Sequence, residues 1–502
     1  MLSFRPLCTR PFSGTATALA AAALVLPAAA CTDAAAPEEQ AGELTDVPQS
    51  VVKRQSIGNC WVYATVGWAE SLRLAHSGEQ LNLSESWISY WHWFEQVAGA
   101  PQGLTAVAFV GSDGLATGGW FGVAGELMLR YGVVAEGAFI PEEAEAIRSD
   151  RQKIALDALN AALKPGGALA TATARKDRRL VRKEFDKAWQ LKPEVTAAID
   201  AVFGADGAKS LASSSTVIPG GSPVVRPAQI EVGRALESGV EKKIMLADAI
   251  GKAASSFDVK RRTGKYAWNE EFYPTSTASR RTFLQRFQKA LHARQPVIMT
   301  WFVDFAAMGG DKAFRAAPAA PGRQGGHMTV VEDYEVDEVP GFGTLKAGVL
   351  VTDRKALAAA LDTRAKLKFV RIKNSWGADL APQQAADEFK GYHDLYLQYL
   401  NGPLTECTKS GDDACGIKSK TAGLRAFVLP PANFLSGATS TCHDECGFGG
   451  ALKTTCSPCA QKVCAADKFC CDAKTSGASW DAQCVQAAAT LCQRTCAVLG
   501  KK

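Results

Sequence analysis

Ten of the fifteen cysteines fall between Cys442 and Cys496, and this crowding constrains the fold more than any other feature of the sequence. A segment of about 55 residues buries too little apolar surface to hold its shape by a core alone, so it needs cross-links. Dense, even-numbered cysteine in an exported chain reads as disulfides, here five of them. Cys456-x-x-Cys459 also has zinc-ligand spacing. The neighbouring spacings are uneven and Cys470 adjoins Cys471. Disulfides are therefore the expectation, and no metal site is assigned. The module has two open readings, a stabilising cap or a surface- or substrate-binding domain.

Disulfides require an oxidising compartment, and the N-terminus has the form of an export signal. Arg5 and Arg10 precede an apolar stretch over residues 15–26, and Pro27-Ala28-Ala29-Ala30-Cys31 follows. This is a charged start, a short apolar core and a small-residue cleavage site. The expectation is a signal peptide over 1–30 and a flexible, Ala-, Glu- and Pro-rich tether over 31–47. Ala28-x-Ala30 suits ordinary signal peptidase, whereas Cys31 resembles the lipid-acceptor cysteine of bacterial lipoproteins. Ala28 occupies the position where such leaders carry leucine. Periplasmic, secreted and lipid-anchored surface locations all stay open. No later stretch is long and apolar enough to span a membrane. The net charge of +5 is spread along the chain. That excludes a protein dominated by phosphate contacts, so no nucleic-acid partner is expected.

The body between these ends divides by pattern. Residues 48–141 are rich in tryptophan and other aromatics. Residues 142–260 look mostly helical, with Leu156, Leu159 and Leu163 on one face and Val181, Phe185 and Ala188 on another. Apolar runs of strand type follow at 296–303, 328–331, 348–351 and 367–372. A helical first half and a strand-rich second half predict an α+β body over 48–430, with a helical insertion at 142–260 and a disulfide module at 440–498.

Between the tether and residue 400 there is one cysteine, Cys60. Gly58 permits a tight turn, Asn59 suits a helix N-cap, and Trp61, Ala64, Trp68 and Leu72 recur at helical spacing. A buried helix is therefore expected to start at Cys60 or beside it. A thiol at a helix N-terminus is a stabilised thiolate, as nucleophilic catalysis requires. An inert buried thiol is the alternative.

Gln55…Gly58-x-Cys60-Trp61 resembles the active-site segment of papain-like cysteine peptidases. Gly325-Gly326-His327-Met328-Thr329-Val330-Val331 resembles that family's histidine strand. Phe369-Val370-Arg371-Ile372-Lys373-Asn374-Ser375-Trp376-Gly377 resembles its asparagine motif. Leu83-Ser84-Glu85, Gly118-Gly119-Trp120 and the insertion are similar to the branch of bleomycin hydrolase and bacterial aminopeptidase C. The resemblance implies a two-lobed papain-like fold and an exported thiol peptidase that cleaves peptide or protein substrates without a cofactor. It further implies Cys60 as nucleophile, His327 as proton carrier and Asn374 as the group orienting the imidazole. Trp376 would shield that contact. Gln55 and the Cys60 amide would form the oxyanion hole, and Gly118 and Gly119 would line the substrate cleft. Gln55 stands one residue nearer the cysteine than is usual in the family, and the segment between His327 and Asn374 is longer than usual. A non-catalytic binding or adhesion protein on the same fold is the competing function. The intact set of Cys60, His327 and Asn374 distinguishes the two.

Overall fold

The computed structural model describes residues 47–101, 114–237, 240–255, 258–349, 351, 353–378, 390–408, 415–435, 445, 449–454, 457–471 and 479–492. The expected signal peptide, the tether before residue 47, Cys31, Cys442, Cys446, Cys456 and Cys496 lie outside the described residues.

Helix α1 (Cys60–Ser77) is buried on every side: Trp61, Ala64, Trp68 and Leu72 on one stripe, Val62, Val66 and Ala69 on the others. A helix apolar all round must be enclosed. Enclosing it are α2 (Glu85–Ala98), α3 (Phe121–Tyr131), α4 (Arg151–Leu163), α5 (Arg178–Ala188) and α6 (Pro193–Phe203), which share one core with it. Ser84 opens α2 by accepting from the Trp87 amide, a side-chain N-cap. Aromatic side chains do much of the filling, as where Trp91 stacks on Tyr131 with ring centroids 3.9 Å apart. In α4 the buried face is Gln152, Ala155 and Leu159, one step round from the leucine stripe expected there. The insertion is helical as far as Phe203. Beyond the Gly- and Ser-rich stretch it forms two antiparallel hairpins, Glu231–Glu237 with Val240–Met245 and Lys252–Ser255 with Asp258–Thr263.

The second half supplies an antiparallel sheet. Its strands are β1 (Asn269–Phe272), β2 (Val297–Asp304), β3 (Gln324–Val339), β4 (Gly343–Leu345), β5 (Lys366–Lys373), β6 (Tyr392–Tyr396) and β7 (Leu424–Leu429). Their order is β6-β5-β3-β2-β7-β1, with β4 paired to β3. Alternation along β3 explains how one sheet serves two cores. Met328 and Val330 join the core around α1, whereas Val331, Tyr334 and Val336 join a second core beneath α7 (Thr277–His292). A register shift between Val331 and Asp333 returns the apolar side chains to the α7 face. Of the run at 348–351, the described residues 348, 349 and 351 do not pair as a strand. Gly348 turns there with φ of 80°, its amide donates to Asp333 Oδ2, and Asp353 then caps α8 (Arg354–Ala360). The α+β expectation therefore holds, with the helices and the sheet in sequence order.

The module has its own small core of Leu452, Val463, Trp480, Val485 and Ala488 between α9 (Pro458–Ala466) and α10 (Ala482–Cys492). Among the described residues three disulfides brace it: Cys459–Cys492, Cys464–Cys471 and Cys470–Cys484. Cys459 is thus cross-linked to Cys492 and is not a zinc ligand. A fourth disulfide, Cys407–Cys415, closes the hairpin of Leu404–Cys407 with Ile417–Thr421.

Candidate active site

The N-terminus of α1 abuts β3 at Met328. Cys60 carries the free thiol among the described cysteines, and backbone amides of Met328, Trp61 and Cys60 itself bond toward its sulfur. Met328 directly follows His327 in β3. Asn59 stands at the N-cap position without capping. Its Nδ2 instead donates to Ser89 Oγ at 3.1 Å and Gln152 Oε1 at 2.8 Å, tying the thiol's end of α1 to α2 and α4.

His327 Nε2 lies 2.8 Å from Asn374 Oδ1, just past the end of β5. The same oxygen accepts from the Ser375 amide at 2.8 Å. An atom that receives a backbone N–H is an acceptor, so His327 Nε2 must carry the proton of this bond. Nδ1 is then the nitrogen with a free lone pair. Trp376 stacks on the imidazole with centroids 4.8 Å apart and an interplanar angle of 26°, and Phe305 lies 5.1 Å beyond it. His327 and Asn374 are both buried.

Burial sets the charge state. It pushes the Cys60 thiol up to about 11, against the opposing pull of the three amides. It pulls His327 down to about 4, against the hydrogen bond that the ring donates to Asn374, and His393 adds a further lowering. Loss of solvent thus works against the expected thiolate at Cys60 and against a charged imidazole at His327.

Gln55 also reaches the site. Its amide N–H donates to the Ser375 carbonyl at 2.8 Å, its Oε1 accepts from Ser375 Oγ at 2.5 Å, and its Nε2 donates to Ile57 O at 2.7 Å. One hydrogen of Nε2 remains. Gly118 and Gly119 lie before α3, on a segment held to α1 by Trp61 Nε1 donating to Thr117 O at 2.8 Å. The two glycines differ. A Cβ on Gly119 would fall 2.5 Å from the Trp61 ring, whereas one on Gly118 would meet nothing within 4 Å. Packing thus explains Gly119, and Gly118 borders open space. His292 bonds to Tyr334 OH at 2.7 Å in the second core.

Two features escaped the sequence reading. His393, buried in β6, contacts Trp376 edge-on at 5.3 Å and its Nδ1 lies 3.0 Å from Lys312 O. Behind Asn374 lies a small cavity lined by Ser50, Lys53, Glu70, Glu85, Lys373 and Ser375, among others. Lys53 Nζ donates to Glu85 at 2.8 Å and Glu136 at 2.5 Å, and Lys373 Nζ donates to Ser50 Oγ at 2.7 Å. Burial alone would discharge Lys53, but Glu85, Glu136 and Glu70 outweigh it and hold its ammonium well above the usual range. Lys373 is pulled down to about 8 by burial, with Glu70 opposing. Glu70 was visible as a lone carboxylate in an apolar helix, and Lys373 as the neighbour of Asn374. Among the described residues no cluster of side chains suits a metal ion, and no helix is long and apolar enough to cross a membrane.

Comparison with known proteins adds the following. Residues 440–496 match the model of a domain of unknown function (DUF8252). No curated protein matches the chain. Solved structures similar to it include PepW from Lactobacillus rhamnosis HN001, at 11% identity and a TM-score of 0.34, covering 77% of this chain and 81% of that one. Another is xylellain, a cysteine protease from Xylella fastidiosa, at 12% identity and a TM-score of 0.28, covering 77% of this chain and 84% of that one.

Proposed function

We propose that the chain is an exported papain-like peptidase that hydrolyses peptide bonds through a Cys60 acyl-enzyme. The observation that carries this reading is the His327–Asn374 bond of 2.8 Å, which leaves Nδ1 as the base on the strand that contacts the thiol. In the reaction the Cys60 sulfur attacks the scissile carbonyl as its proton passes to His327 Nδ1. Both groups are neutral beforehand, so charge forms during attack and not at rest. The imidazolium then protonates the leaving amine. Water enters, gives a proton back to Nδ1 and releases the acid, which restores the thiol. Asn374 holds the ring in the required tautomer. The Cys60 amide and the remaining Gln55 Nε2 hydrogen serve the oxyanion, with Ser375 and Ile57 fixing the glutamine in place. Gly118 leaves room for the substrate backbone. The leader-like N-terminus and the four disulfides support export, since such bonds persist in oxidising compartments. Lipidation of Cys31 is the variant of this reading that anchors the enzyme to a membrane surface.

The test is labelling with an epoxide inhibitor of thiol peptidases, followed by digestion of a peptide library. Stoichiometric modification of Cys60 together with peptide cleavage is expected. A Cys60→Ser protein that cleaves at the full rate would remove the nucleophile assignment, and a wild-type protein that neither labels nor cleaves would favour the non-catalytic binding function.

A further inference from the structure

Arg354, the first residue of α8, is gripped by the cysteine-rich module. Its Nη1 donates to Asp467 Oδ2 at 2.7 Å, and its Nε and Nη2 donate to Asp481 Oδ2 at 3.1 and 2.9 Å. The guanidinium carbon lies 3.9 Å from the centroid of the Phe469 ring, and Nη2 is 3.8 Å from Cys484 Sγ. A planar cation paired with carboxylates and laid on an aromatic face is the arrangement that suits arginine and not lysine.

Both halves of this contact are built by the local structure. Asp467 Oδ1 accepts from the Phe469 amide at 2.9 Å and caps the turn Lys468–Cys470. Asp481 Oδ1 accepts from the Cys484 amide at 3.1 Å at the start of α10. Each aspartate thus uses one oxygen to order the module and aims the other at Arg354. The Cys470–Cys484 disulfide joins the two capped segments, and Cys464–Cys471 fixes the first of them to α9. On the body, Asp353 accepts from the Lys355 and Ala356 amides at the start of α8. The other end of α8 is held by α7: Arg281 donates to the carbonyls of Ala360 and Asp362, and Gln285 to that of Leu361. Arg354 also belongs to the stretch between His327 and Asn374 whose extra length the proposed chemistry leaves unused.

We infer that α8 is the body's docking element for its own module, with Arg354 as the anchor. The module is a seated domain and not one that swings on its linker. The seat adjoins α7, on the face of the sheet opposite α1. The described part of the module therefore takes its position from a helix remote from the thiol's helix, and small peptides reach Cys60 whether or not it is docked.

Hydrogen exchange read by mass spectrometry tests this on the full, oxidised chain, with Cys60→Ser present to prevent self-cleavage. Arg354→Glu should speed exchange about tenfold or more at residues 353–356 and at 467–470 and 481–484, with the module's central amides unchanged. Asp467→Asn with Asp481→Asn is the second variant. Asparagine keeps an oxygen for each cap but loses the charge, so it should give the same pattern even if Arg354→Glu disturbs the body. Unchanged exchange at the two faces in the aspartate variant overturns the inference. So does faster exchange throughout the module, because Arg354 would then be holding the module's fold and not its seat. In the Cys60-bearing chain, turnover of a small peptide should stay within about twofold on Arg354→Glu, as for surface substitutions away from a site.

Discussion

At the scale of single residues, His327 and Asn374 form a unit whose members do different work. Asn374 is neutral and can direct the imidazole but cannot carry its proton. His327→Ala should therefore lower kcat/KM by about 10²–10⁴-fold, the range for a lost acid–base group. Asn374→Ala should lower it by no more than about 10²-fold, the cost of a misplaced ring. The pH profile separates orientation from mere destabilisation. Burial holds His327 near 4, and Asn374 is the group that pulls it upward. The acid limb of the kcat/KM profile should thus lie near pH 4 in the parent and move lower in Asn374→Ala. An unmoved limb would mean that Asn374 does not bond the imidazole in solution. The glycine pair gives a second contrast. Gly119→Ala places a Cβ against the Trp61 ring and should cost about 1–3 kcal/mol in urea unfolding. Gly118→Ala meets nothing and should leave stability within about 0.5 kcal/mol. Its effect is expected in KM alone, where a substrate backbone would pass.

At the scale of elements, α1 and β5 meet through the charges behind Asn374, and the two lysines there are not equivalent. Lys53 bonds two carboxylates and is held above the usual range, so its charge is favoured by the fold. Lys53→Met should cost about 3–5 kcal/mol, because it leaves buried carboxylates without their cation. Lys373 is pulled down by burial, so its charge is disfavoured by its surroundings, and Lys373→Met should cost distinctly less. Chemical denaturation of both variants at pH 7 reads the difference, and equal losses would refute it. These elements differ in how far the sequence discloses them. The strand around His327 and the helix after Cys60 are apolar runs bounded by glycine and polar turns, so pattern and position agree. The pairing of Asn59 with Gln152, 93 residues away, leaves no local trace. Nor does the use of Asp333 to hold the turn at Gly348. The hairpins after residue 230 were hidden because helical periodicity earlier in the insertion was carried across a Gly- and Ser-rich break. The pull of burial on the Cys60 thiol was hidden for a related reason. A helix terminus is visible in sequence, but depth of burial comes from the tertiary fold.

At the scale of the whole molecule, two cores share one sheet, and each buries histidines in a neutral state. Burial holds His92 near 3 and His292 near 4, while an unfolded chain protonates histidine near 6.5. Between pH 6.5 and 4 the unfolded state therefore binds a proton at each of these positions that the folded state does not. Stability contributed by such a group is present above pH 6.5 and falls as pH is lowered through the window, by about 1.4 kcal/mol per unit for each group. Buried carboxylates work in the opposite direction. Burial raises Glu270 in β1 above the usual carboxylate range, so over part of the acidic range the folded state keeps a proton there that the unfolded chain gives up. The net pH slope of the chain is thus a difference of opposed terms, and a single substitution isolates one of them. His292 suits this use because it lies in the second core, bonded to Tyr334 and away from the thiol. His292→Gln should lower stability at pH 7.5, since the Tyr334 contact is disturbed. Relative to the parent it should also lose about 1.4 kcal/mol per pH unit less between pH 6.5 and 4. Urea midpoints measured at half-unit steps across that window give the comparison. Parallel curves for the two proteins would mean that His292 takes up its proton in the folded state, and that the second core admits water to its ring.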